Sequence, residues 1–466
     1  MSTPVSNPGP GRRTAQSRTR QVDVTVWLAV GLPVLVLVAA LLVRPGEVEP
    51  SATPPEETAL TSATVICPSG ETGVVIADDT GAGGAVTVRQ GRNEGETSLS
   101  PHRSTEVTAG RSPVVVTGEG DLAPGLLAGR FGEPLVAPEC RAPAFDEWFT
   151  GVGAGAKHAS VLELVNPDPG PAIVDTLVYG RDGLVDAQPL RGVAVPGRSV
   201  VRLDLARELP RRDELALHVT TTRGRVSAAL VDTYDELGNR GSAVDYLPAQ
   251  AEPTTANLLL GLPDGGGRRV LLLANPAETE TRAAVKVVTE KSVFAAVGSE
   301  DVLLPPQSVT KVSIAPLLRG RNAKDAIGLL VESGTPVTAT ARFFIGRDLS
   351  HAVSPEPLTE TSLVVPEGRK ELLLAGASRA GVVRVVTRDA AGEVLAERRT
   401  EVVADRGAAV PLPERAALIT VTTNGATIAG SVLATGDGAA ALRLRPQQRS
   451  GLVAAVRPAM PFVSSD

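Results

Sequence analysis

The feature that most constrains this chain is an internal repeat with a period of 109 to 111 residues. Ser160 begins SVLELVNPDPGPAIVDTLVYGRDG and Arg269 begins RVLLLANPAETETRAAVKVVTEK, so a hydrophobic run, an Asn-Pro pair and an alternating run recur in the same order. The two Asn-Pro pairs start at Asn166 and Asn275, 109 residues apart. Similarity at a fixed period indicates that one structural unit is repeated along the chain.

Further segments repeat at nearly the same offset. VAVPGRSVVRLDL, residues 193–205, corresponds to VLLPPQSVTKVSI, residues 302–314, and GRVSAALVDTY corresponds to TPVTATARFFI. LDLARELP and IAPLLRGR, at the C-terminal end of the first pair of segments, are each expected to form one helical turn. A third copy is more divergent, because Gly376-Ala377 replaces the Asn-Pro pair.

Each copy contains six or seven short runs with strand-type alternation, separated by Gly and Pro. Antiparallel strands with one polar face and no long helix between them favour a sandwich. The sequence therefore predicts an all-β protein with four tandem immunoglobulin-like β-sandwich modules, over residues 65–145, 146–250, 251–350 and 351–466. A closed, β-propeller-like array is the alternative, because short strands at even spacing also fit it.

Residues 24–43, VTVWLAVGLPVLVLVAALLV, form the one strongly apolar run. Twenty helical residues span roughly the 30 Å hydrocarbon core of a bilayer. Four arginines precede the run: Arg12, Arg13, Arg18 and Arg20. By the positive-inside rule, residues 1–23 form a cytoplasmic tail, residues 24–43 a single transmembrane helix, and the C-terminal bulk lies outside the cell membrane. A cleaved signal peptide is the alternative, but its apolar region is usually about 7–15 residues long.

Residues 44–64 are rich in Pro, Glu and Thr, a composition that cannot bury a core, and they are expected to form a stalk. The region after the apolar run holds 42 of the 46 basic and 51 of the 52 acidic residues. This acidic balance argues against nucleic acid as a partner.

The chain has two cysteines, Cys67 and Cys140, and both lie in the part predicted to be outside the cell. Oxidation is permitted there. A disulfide would close a loop of about 70 residues, worth roughly 4 kcal/mol in the chain-entropy model. We expect a disulfide that stabilises the first module rather than two free thiols.

The search for catalytic or cofactor motifs yields nothing specific. The four histidines are scattered, without zinc-binding spacing, and are interpreted as surface or strand residues. No G-x-S-x-G or S-x-x-K motif of a serine hydrolase occurs. GVGAGAK, from Gly151, lacks the Ser or Thr of a phosphate loop and is interpreted as a tight turn between strands. We predict no catalytic residue, no metal ligand and no cofactor.

Two clusters of acidic and amide side chains are candidate cation sites, and both are interpreted as structural. Asp232, Asp235, Glu236 and Asn239 form the densest group of oxygen ligands, but the EF-hand spacing is absent, so a solvated hairpin loop is expected. Asp78-Asp79 is interpreted in the same way.

Trp148 and Phe149 are the candidate interaction surface of the sequence. Exposed, they would offer a stacking surface for a sugar; buried, they would pack between the first two modules. Aromatic residues make up only 3% of the chain. A lectin-like module usually presents several exposed aromatic residues, and this chain has few available.

The chain resembles an uncharacterised actinobacterial family of unknown function, number 5719. The resemblance rests on the N-terminal apolar segment, Cys67-Pro68, Cys140 followed by EWFTGVGAGAKHASVLELVNP, and the repeat that starts LLLANP. It would cover nearly the whole chain. These motifs are structural, and the resemblance implies no catalytic residues.

Two functions remain for the sequence. The first is a non-catalytic, membrane-anchored protein of the cell envelope whose tandem modules scaffold or bind another envelope protein. The alternative is a protein that binds cell-wall glycan or assists an enzyme acting on it, which would require acidic residues from separate loops to meet in one cleft.

Overall fold

The structure is a computed structural model that describes residues 31–38, 56–235, 242–296, 299–320 and 323–453. Residues 31–38 form helix α1, which is exposed. The predicted tail, most of the predicted transmembrane helix over 24–43, and residues 44–55 of the predicted stalk lie outside the described residues. Among the described residues, no helix combines the length and the apolar character needed to cross a membrane.

Residues Glu57–Gly451 form one compact unit, and α1 belongs to the other. The last part of the predicted stalk is already strand: β1 spans Glu56–Ala59, and the next strand begins at Ser62. At the other end of the described chain lies β34, Ser450–Val453. Leu60 N donates to Arg449 O at 3.0 Å, so both ends of the compact unit meet.

The first module consists of two facing sheets. Its strands are β2 Ser62–Cys67, β3 Val74–Asp78, β4 Gly84–Gln90, β5 Asn93–Leu99, β6 Thr105–Val107, β7 Val114–Glu119 and β8 Leu126–Gly129. The sheet order is β2-β7-β4-β5 in one layer and β6-β3-β8 in the other. Alternating valines, among them Val74, Val86 and Val116, fill the core between the sheets.

Buried Arg130 holds the loops at one end of the first module. Its guanidinium donates only to backbone carbonyl groups, those of Pro68, Gly70, Thr72, Gly110 and Ser112. A cation without a carboxylate is thus satisfied by carbonyl dipoles of two separate loops.

The second module is one continuous sheet folded around a single core. Its strands are β9 Asp146–Ala154, β10 His158–Val165, β11 Ala172–Gly180, β12 Gly183–Val185, β13 Val193–Val195, β14 Val200–Asp204, β15 Arg212–Arg223, β16 Ser227–Asp235 and β17 Ser242–Leu247. Their order is β12-β11-β15-β9-β10-β16-β17, with β13 beside β11 and β14 beside β10. Strands β9 and β10 pair only at Ala154 and Ala159, where the sheet turns from one layer into the other.

The third module is folded in the same way around an unusually long strand. Its strands are β18 Thr254–Leu260, β19 Gly267–Asn275, β20 Thr281–Thr289, β21 Val293–Ala295, β22 Val302–Leu304, β23 Ser308–Ser313, β24 Ala326–Ile345 and β25 Asp348–Val353. The first part of β24 pairs with β18 and β20, and the second part, from Thr338, pairs with β19 and β25. One strand therefore contributes to both layers. Because β25 includes His351, the third module extends beyond the predicted boundary at residue 350.

The fourth module returns to two separate sheets. Its strands are β26 Glu360–Val364, β27 Arg369–Ala375, β28 Gly381–Arg388, β29 Val394–Val402, β30 Ala408–Leu412, β31 Leu418–Asn424, β32 Ala429–Thr435 and β33 Ala439–Arg443. The sheet orders are β26-β31-β28-β29 and β30-β27-β32-β33. Phe131, Leu135 and Ala137 pack against this core, although they belong to the predicted first module.

The described chain is thus mostly β, with several antiparallel sheets and no closed barrel. The prediction of an all-β protein is confirmed at this level. The four largest clusters of buried apolar side chains in the described chain are separate from one another.

The Asn-Pro repeat has a structural role that is the same in both copies. Asn166 Nδ2 donates to Gly170 O and Val195 O at 2.8 and 3.0 Å, and its Oδ1 accepts from Asp168 N at 2.9 Å. Asn275 is bonded in the corresponding way, to Thr279 O and Leu304 O. Both side chains are fully buried, so each holds a loop to the strand that follows it.

The P-x-x-S segments are also equivalent. Ser199 and Ser308 donate to Pro196 O and Pro305 O at 2.6 and 2.9 Å. Arg198 and Gln307, one residue earlier, have φ values of 52° and 48°, in the left-handed region. The expected helical turns are present as α2, Leu205–Glu208, and α3, Ala315–Leu318.

The glycine-rich segment from Gly151 is only partly a turn. Gly151 and Gly153 lie within strand β9, and only Gly155 lies in the turn before β10. A Cβ atom at Gly153 would be 2.3 Å from the ring of His158, and one at Gly151 would be 3.1 Å from Leu272 of the third module. These two glycines let neighbouring groups approach the backbone closely.

Candidate functional site

The candidate site begins on two adjacent strands of the second module, β10 and β16. Ser160 lies directly opposite Asp232, and His158 lies two residues before Ser160, on the same face of the sheet. His158 Nε2 is 2.8 Å from Asp232 Oδ1, and Ser160 Oγ donates to the same oxygen at 2.6 Å. Asp232 is fully buried. The expectation of a solvated loop fails for this residue; Glu236 and Asn239 lie outside the described residues.

The other oxygen of Asp232 contacts the third module. His351, on β25, places Nε2 3.1 Å from Asp232 Oδ2 and Nδ1 3.0 Å from Asp245 Oδ2. Asp245 lies on β17, directly opposite Asp232, so the two carboxylates are cross-strand neighbours. A neutral imidazole carries one N–H, whereas this ring faces a carboxylate oxygen at both nitrogens. The geometry therefore favours the protonated ring.

The electrostatics agree with this geometry. Burial by itself lowers the pKa of His351, but the hydrogen bonds and charges of Asp232 and Asp245 outweigh burial and raise the pKa to about 9. Burial acts to raise the pKa of Asp232, yet His158 and His351 hold that pKa far below its usual range. The pKa of Asp245 is raised, because burial outweighs the contribution of His351. At neutral pH, His351 is a cation with Asp232 as its counter-ion.

A second buried ion pair continues this network. Arg342 of β24 donates through Nη2 to Glu214 Oε1 at 2.6 Å, and Lys311 Nζ donates to the same oxygen at 2.5 Å. Burial acts to raise the pKa of Glu214, but the charge of Arg342 and the hydrogen bonds lower it. Arg342 Nη1 lies 3.3 Å from His158 Nε2, which connects the two ion pairs.

Glu214 is held in an unusual backbone conformation. Its φ is 55°, in the left-handed region, at an irregular point of β15. Such a conformation costs about 1–3 kcal/mol and persists where the surroundings fix it. Here the salt bridges to Arg342 and Lys311 of the third module fix it.

We call these seven residues the ionic junction: His158, Glu214, Asp232, Asp245, Lys311, Arg342 and His351. Four belong to the second module and three to the third. Each has a protein partner, and the side chain of Lys311, at 45% exposure, is the one that solvent reaches substantially. Within the described residues, no group of three or more His, Cys, Asp or Glu is arranged to hold a metal ion.

Trp148 and Phe149 lie on β9 and are buried, so they do not form a surface. Their exposed fractions are 6% and 1%. Phe149 points into the core of the second module, and Trp148 points to the opposite side of β9, as alternation along a strand requires. Trp148 stacks on His218, with ring centroids 4.1 Å apart, and packs against Ala274 and Val309 of the third module. The tryptophan thus lies between the second and third modules rather than the first two.

The disulfide predicted for the first module is present. Cys67 and Cys140 are joined, with an S–S distance of 2.08 Å. The adjacent Glu139 accepts hydrogen bonds from Arg443 at 2.5 Å and from Arg445 at 3.0 Å. Burial acts to raise the pKa of Glu139, but these two arginines lower it to about 2. The segment that carries Cys140 is therefore tied to the fourth module as well.

The second pair of acidic residues is also buried. Asp78 accepts hydrogen bonds from Thr80 Oγ1 and Ala82 N at 2.6 and 2.9 Å. Asp79 pairs with Arg449 at 2.6 Å, and its side chain is 1% exposed. The expectation of a solvated loop is wrong here, because both carboxylates have partners inside the protein.

A cleft of about 470 Å³ opens between the third and fourth modules. Its walls are mostly apolar and include Leu258, Val288 and Leu330 on one side and Ala375 and Ala429 on the other. The cleft is also lined by Gln250, Ala251 and Glu252 before β18, by Thr254, Thr255 and Ala256 at the start of β18, and by Ser354, Pro355, Glu356 and Pro357 between β25 and β26. None of the ionic junction lines this cleft.

Comparison with known protein families decides the relationship of the chain. Residues 128–413 match the model of a family of unknown function, DUF5719. The chain belongs to this family. The DUF5719 match includes all seven residues of the ionic junction and the Asn-Pro repeats, and it spans a shorter range than the nearly complete coverage expected from the sequence. No curated protein matches the sequence.

Sequence reasoning missed the ionic junction. It treated His158 and His351 as isolated residues, whereas both contact Asp232, and His351 and Asp232 are 119 residues apart in sequence. One signal was present: His158, Ser160 and Asp232 are polar residues in otherwise apolar strand patterns, on positions that the alternation assigns to a buried face.

Proposed function

We propose that this protein is a non-catalytic component of the cell envelope, anchored in the membrane by residues 24–43, whose tandem immunoglobulin-like modules hold or position another envelope protein. In this proposal the N-terminus is cytoplasmic and the modules are outside the membrane. The proposal keeps the topology inferred from the apolar run and from the four arginines before it.

One observation carries the proposal. The buried ionisable groups of the ionic junction join modules to each other, because their partners are side chains of a neighbouring module of the same chain. A hydrolytic site would instead present such groups to a cleft where a substrate binds. Glu139 with Arg443, and Asp79 with Arg449, join modules in the same way. This use of charge supports a protein that keeps its modules in fixed positions.

The burial of Trp148 removes the residue that best supported glycan binding. Trp148 stacks on His218 inside the protein, so its ring face is not free for a sugar. Asp232 and Asp245 are close together, as a glycosidase would require, but the ring of His351 lies between them and both are buried.

The test is affinity purification of the tagged full-length protein from membranes in a mild detergent, with co-purified proteins identified by mass spectrometry. The matched control carries residues 1–55 on an unrelated soluble domain, so it keeps the proposed anchor and loses the modules. The proposal expects an envelope protein in stoichiometric amount with the full-length protein and not with the control.

Recovery of the chain alone, together with co-sedimentation of the purified protein with cell-wall glycan, would contradict the proposal and favour the glycan alternative. A partner that is recovered equally with the control would contradict a role for the modules.

A further inference from the structure

Strand β25 is placed where three modules meet. It pairs with β24 inside the third module, from Thr340 opposite Val353 to Ile345 opposite Asp348. His351 reaches Asp232 and Asp245 of the second module. Asp348 Oδ2 accepts a hydrogen bond from Ala439 N of the fourth module at 2.8 Å. One short strand therefore carries a titratable side chain toward each neighbour.

Two ionisable groups contact the ring of His351 directly, Asp232 on β16 and Asp245 on β17. Arg342 lies opposite His351 on β24, and Asp348 lies on β25 itself. His158, Glu214 and Lys311 belong to the same ionic network through other partners, and Tyr234 lies on β16 two residues after Asp232. Strand β18 carries no ionisable side chain, and Arg443 of β33 is paired with Glu139.

Loss of the proton from His351 weakens the contact between the ring and the two carboxylates. The neutral ring can donate from one nitrogen, so the other nitrogen then faces a carboxylate oxygen without a proton between them. Asp232 keeps His158 and Ser160 as partners, whereas His351 is the side chain that holds Asp245. Each carboxylate keeps at least one donor, since Asp245 also accepts from the backbone of Tyr246. The positive charge between two buried carboxylates that lie opposite each other is lost, and buried carboxylates without a counter-charge are costly.

We infer that the proton on His351 acts as a latch between the second and third modules: they stay closed while the ring is charged, and the contact opens when the proton is lost. The same contact includes Trp148 stacked on His218, so opening it exposes an aromatic surface that is buried in the closed form.

The direction of the pH dependence follows from linkage. The folded pKa of His351, about 9, lies above the value of 6.5 for a free histidine. The stabilising contribution is therefore complete below about pH 6.5 and is lost as the pH rises through about 9. The closed form is expected at acidic and neutral pH and the open form in mild alkali.

The first experiment is hydrogen–deuterium exchange of the full-length protein in detergent micelles between pH 6 and pH 10, corrected for the intrinsic pH dependence of exchange. Peptides from β16, β17 and β25 are expected to lose protection by more than about tenfold between pH 8 and pH 10. Peptides from β2 and β7 of the first module serve as the internal reference and should stay protected. Equal behaviour of both sets overturns the latch.

Two variants sharpen the result. His351→Gln removes the titrating group and should exchange faster at pH 7, with no further loss of protection toward pH 10. Arg384→Gln is the matched control, because it removes an exposed ion pair with Glu397 on the fourth module; it should reproduce the wild-type profile. A wild-type-like pH profile for His351→Gln contradicts the latch.

If His351→Gln does not fold, the wild-type protein still decides the question. Nitrogen-15 chemical shifts of the imidazole rings, followed by NMR across the same pH range, report the protonation of each of the four histidines. The latch requires one buried histidine to lose its proton near the pH at which β17 and β25 lose protection. Titration of every histidine below pH 7 overturns it.

Discussion

The third module contacts the second and the fourth modules, and the two contacts use different chemistry. Toward the second module it presents His351 and Arg342, which meet buried carboxylates. Toward the fourth it presents Leu258, Leu260 and Val288, which pack against an apolar sheet face that includes Leu373. The contact with the second module thus contains buried charge beside the apolar packing of Trp148, whereas the contact with the fourth is mainly apolar.

The two contacts differ in how strongly their stability depends on pH and on exact geometry. Apolar burial contributes about 25 cal/mol per Å² and is insensitive to pH. A buried ion pair contributes only when its geometry is complete, and removal of one partner leaves an uncompensated charge. The ion pairs between the second and third modules therefore require one relative placement and one protonation state, whereas the apolar packing between the third and fourth modules does not depend on a proton.

The largest effect is expected from Asp232→Asn. The substitution removes the counter-ion of His351 at the centre of the ionic junction, and breaking a buried pair typically costs about 3–5 kcal/mol. Urea unfolding at pH 7 should show this loss in the free energy of unfolding. The loss should narrow at pH 10, where His351 is neutral in the wild type as well; a loss of the same size at both pH values would show that charge is not the cause.

Leu373→Ala tests the apolar contact and is expected to cost about 2–4 kcal/mol, because Leu373 is 1% exposed and its removal leaves a cavity. The same urea titrations should give the same loss at pH 7 and pH 10. A loss that changes strongly with pH would mean that the two contacts are coupled rather than separate.

The smallest effect is expected from Asp348→Asn. Burial raises the pKa of Asp348 to about 6, above the value of 3.8 for a free aspartate, so the ionised form is disfavoured in the folded protein. The penalty is absent below about pH 3.8 and complete above about pH 6. Because the side chain is partly exposed, solvent screens it, and the gain at pH 8 should be about 1 kcal/mol.

Thermal unfolding of Asp348→Asn and the wild type at pH 8 and pH 4 tests whether the substitution stabilises the protein. The variant should be the more stable at pH 8 and equal at pH 4. A less stable variant at pH 8 would show that the hydrogen bond from Ala439 N requires a charged carboxylate.

Much of the local structure was predictable because it depends on short-range patterns. Alternating valines gave the strands of the first module, since a strand with one buried face repeats every two residues. The Asn-Pro and P-x-x-S segments predicted equivalent units because each side chain bonds within its own loop and the strand beside it. The disulfide was predicted because the chain has two cysteines, which offer one pairing, and both lie in the part that is predicted to be exported.

Module boundaries were less predictable. The boundary predicted after residue 350 places His351 in the fourth module, yet β25, which contains His351, pairs with β24 of the third. Phe131 and Leu135 were assigned to the first module, although they pack on the core of the fourth. Sequence composition marks where the chain is irregular, whereas packing decides which core a segment joins.

The sequence by itself determined the strands, the repeated loops and the pairing of Cys67 with Cys140, because each depends on neighbours along the chain or on a single available partner. Only the tertiary structure decided that Asp232 meets His351 and that Trp148 is covered. Those contacts join separate modules, and a charge on an apolar strand is stable only when a distant module supplies its counter-ion. These contacts depend on the relative placement of two cores, which cannot be inferred from patterns of neighbouring residues.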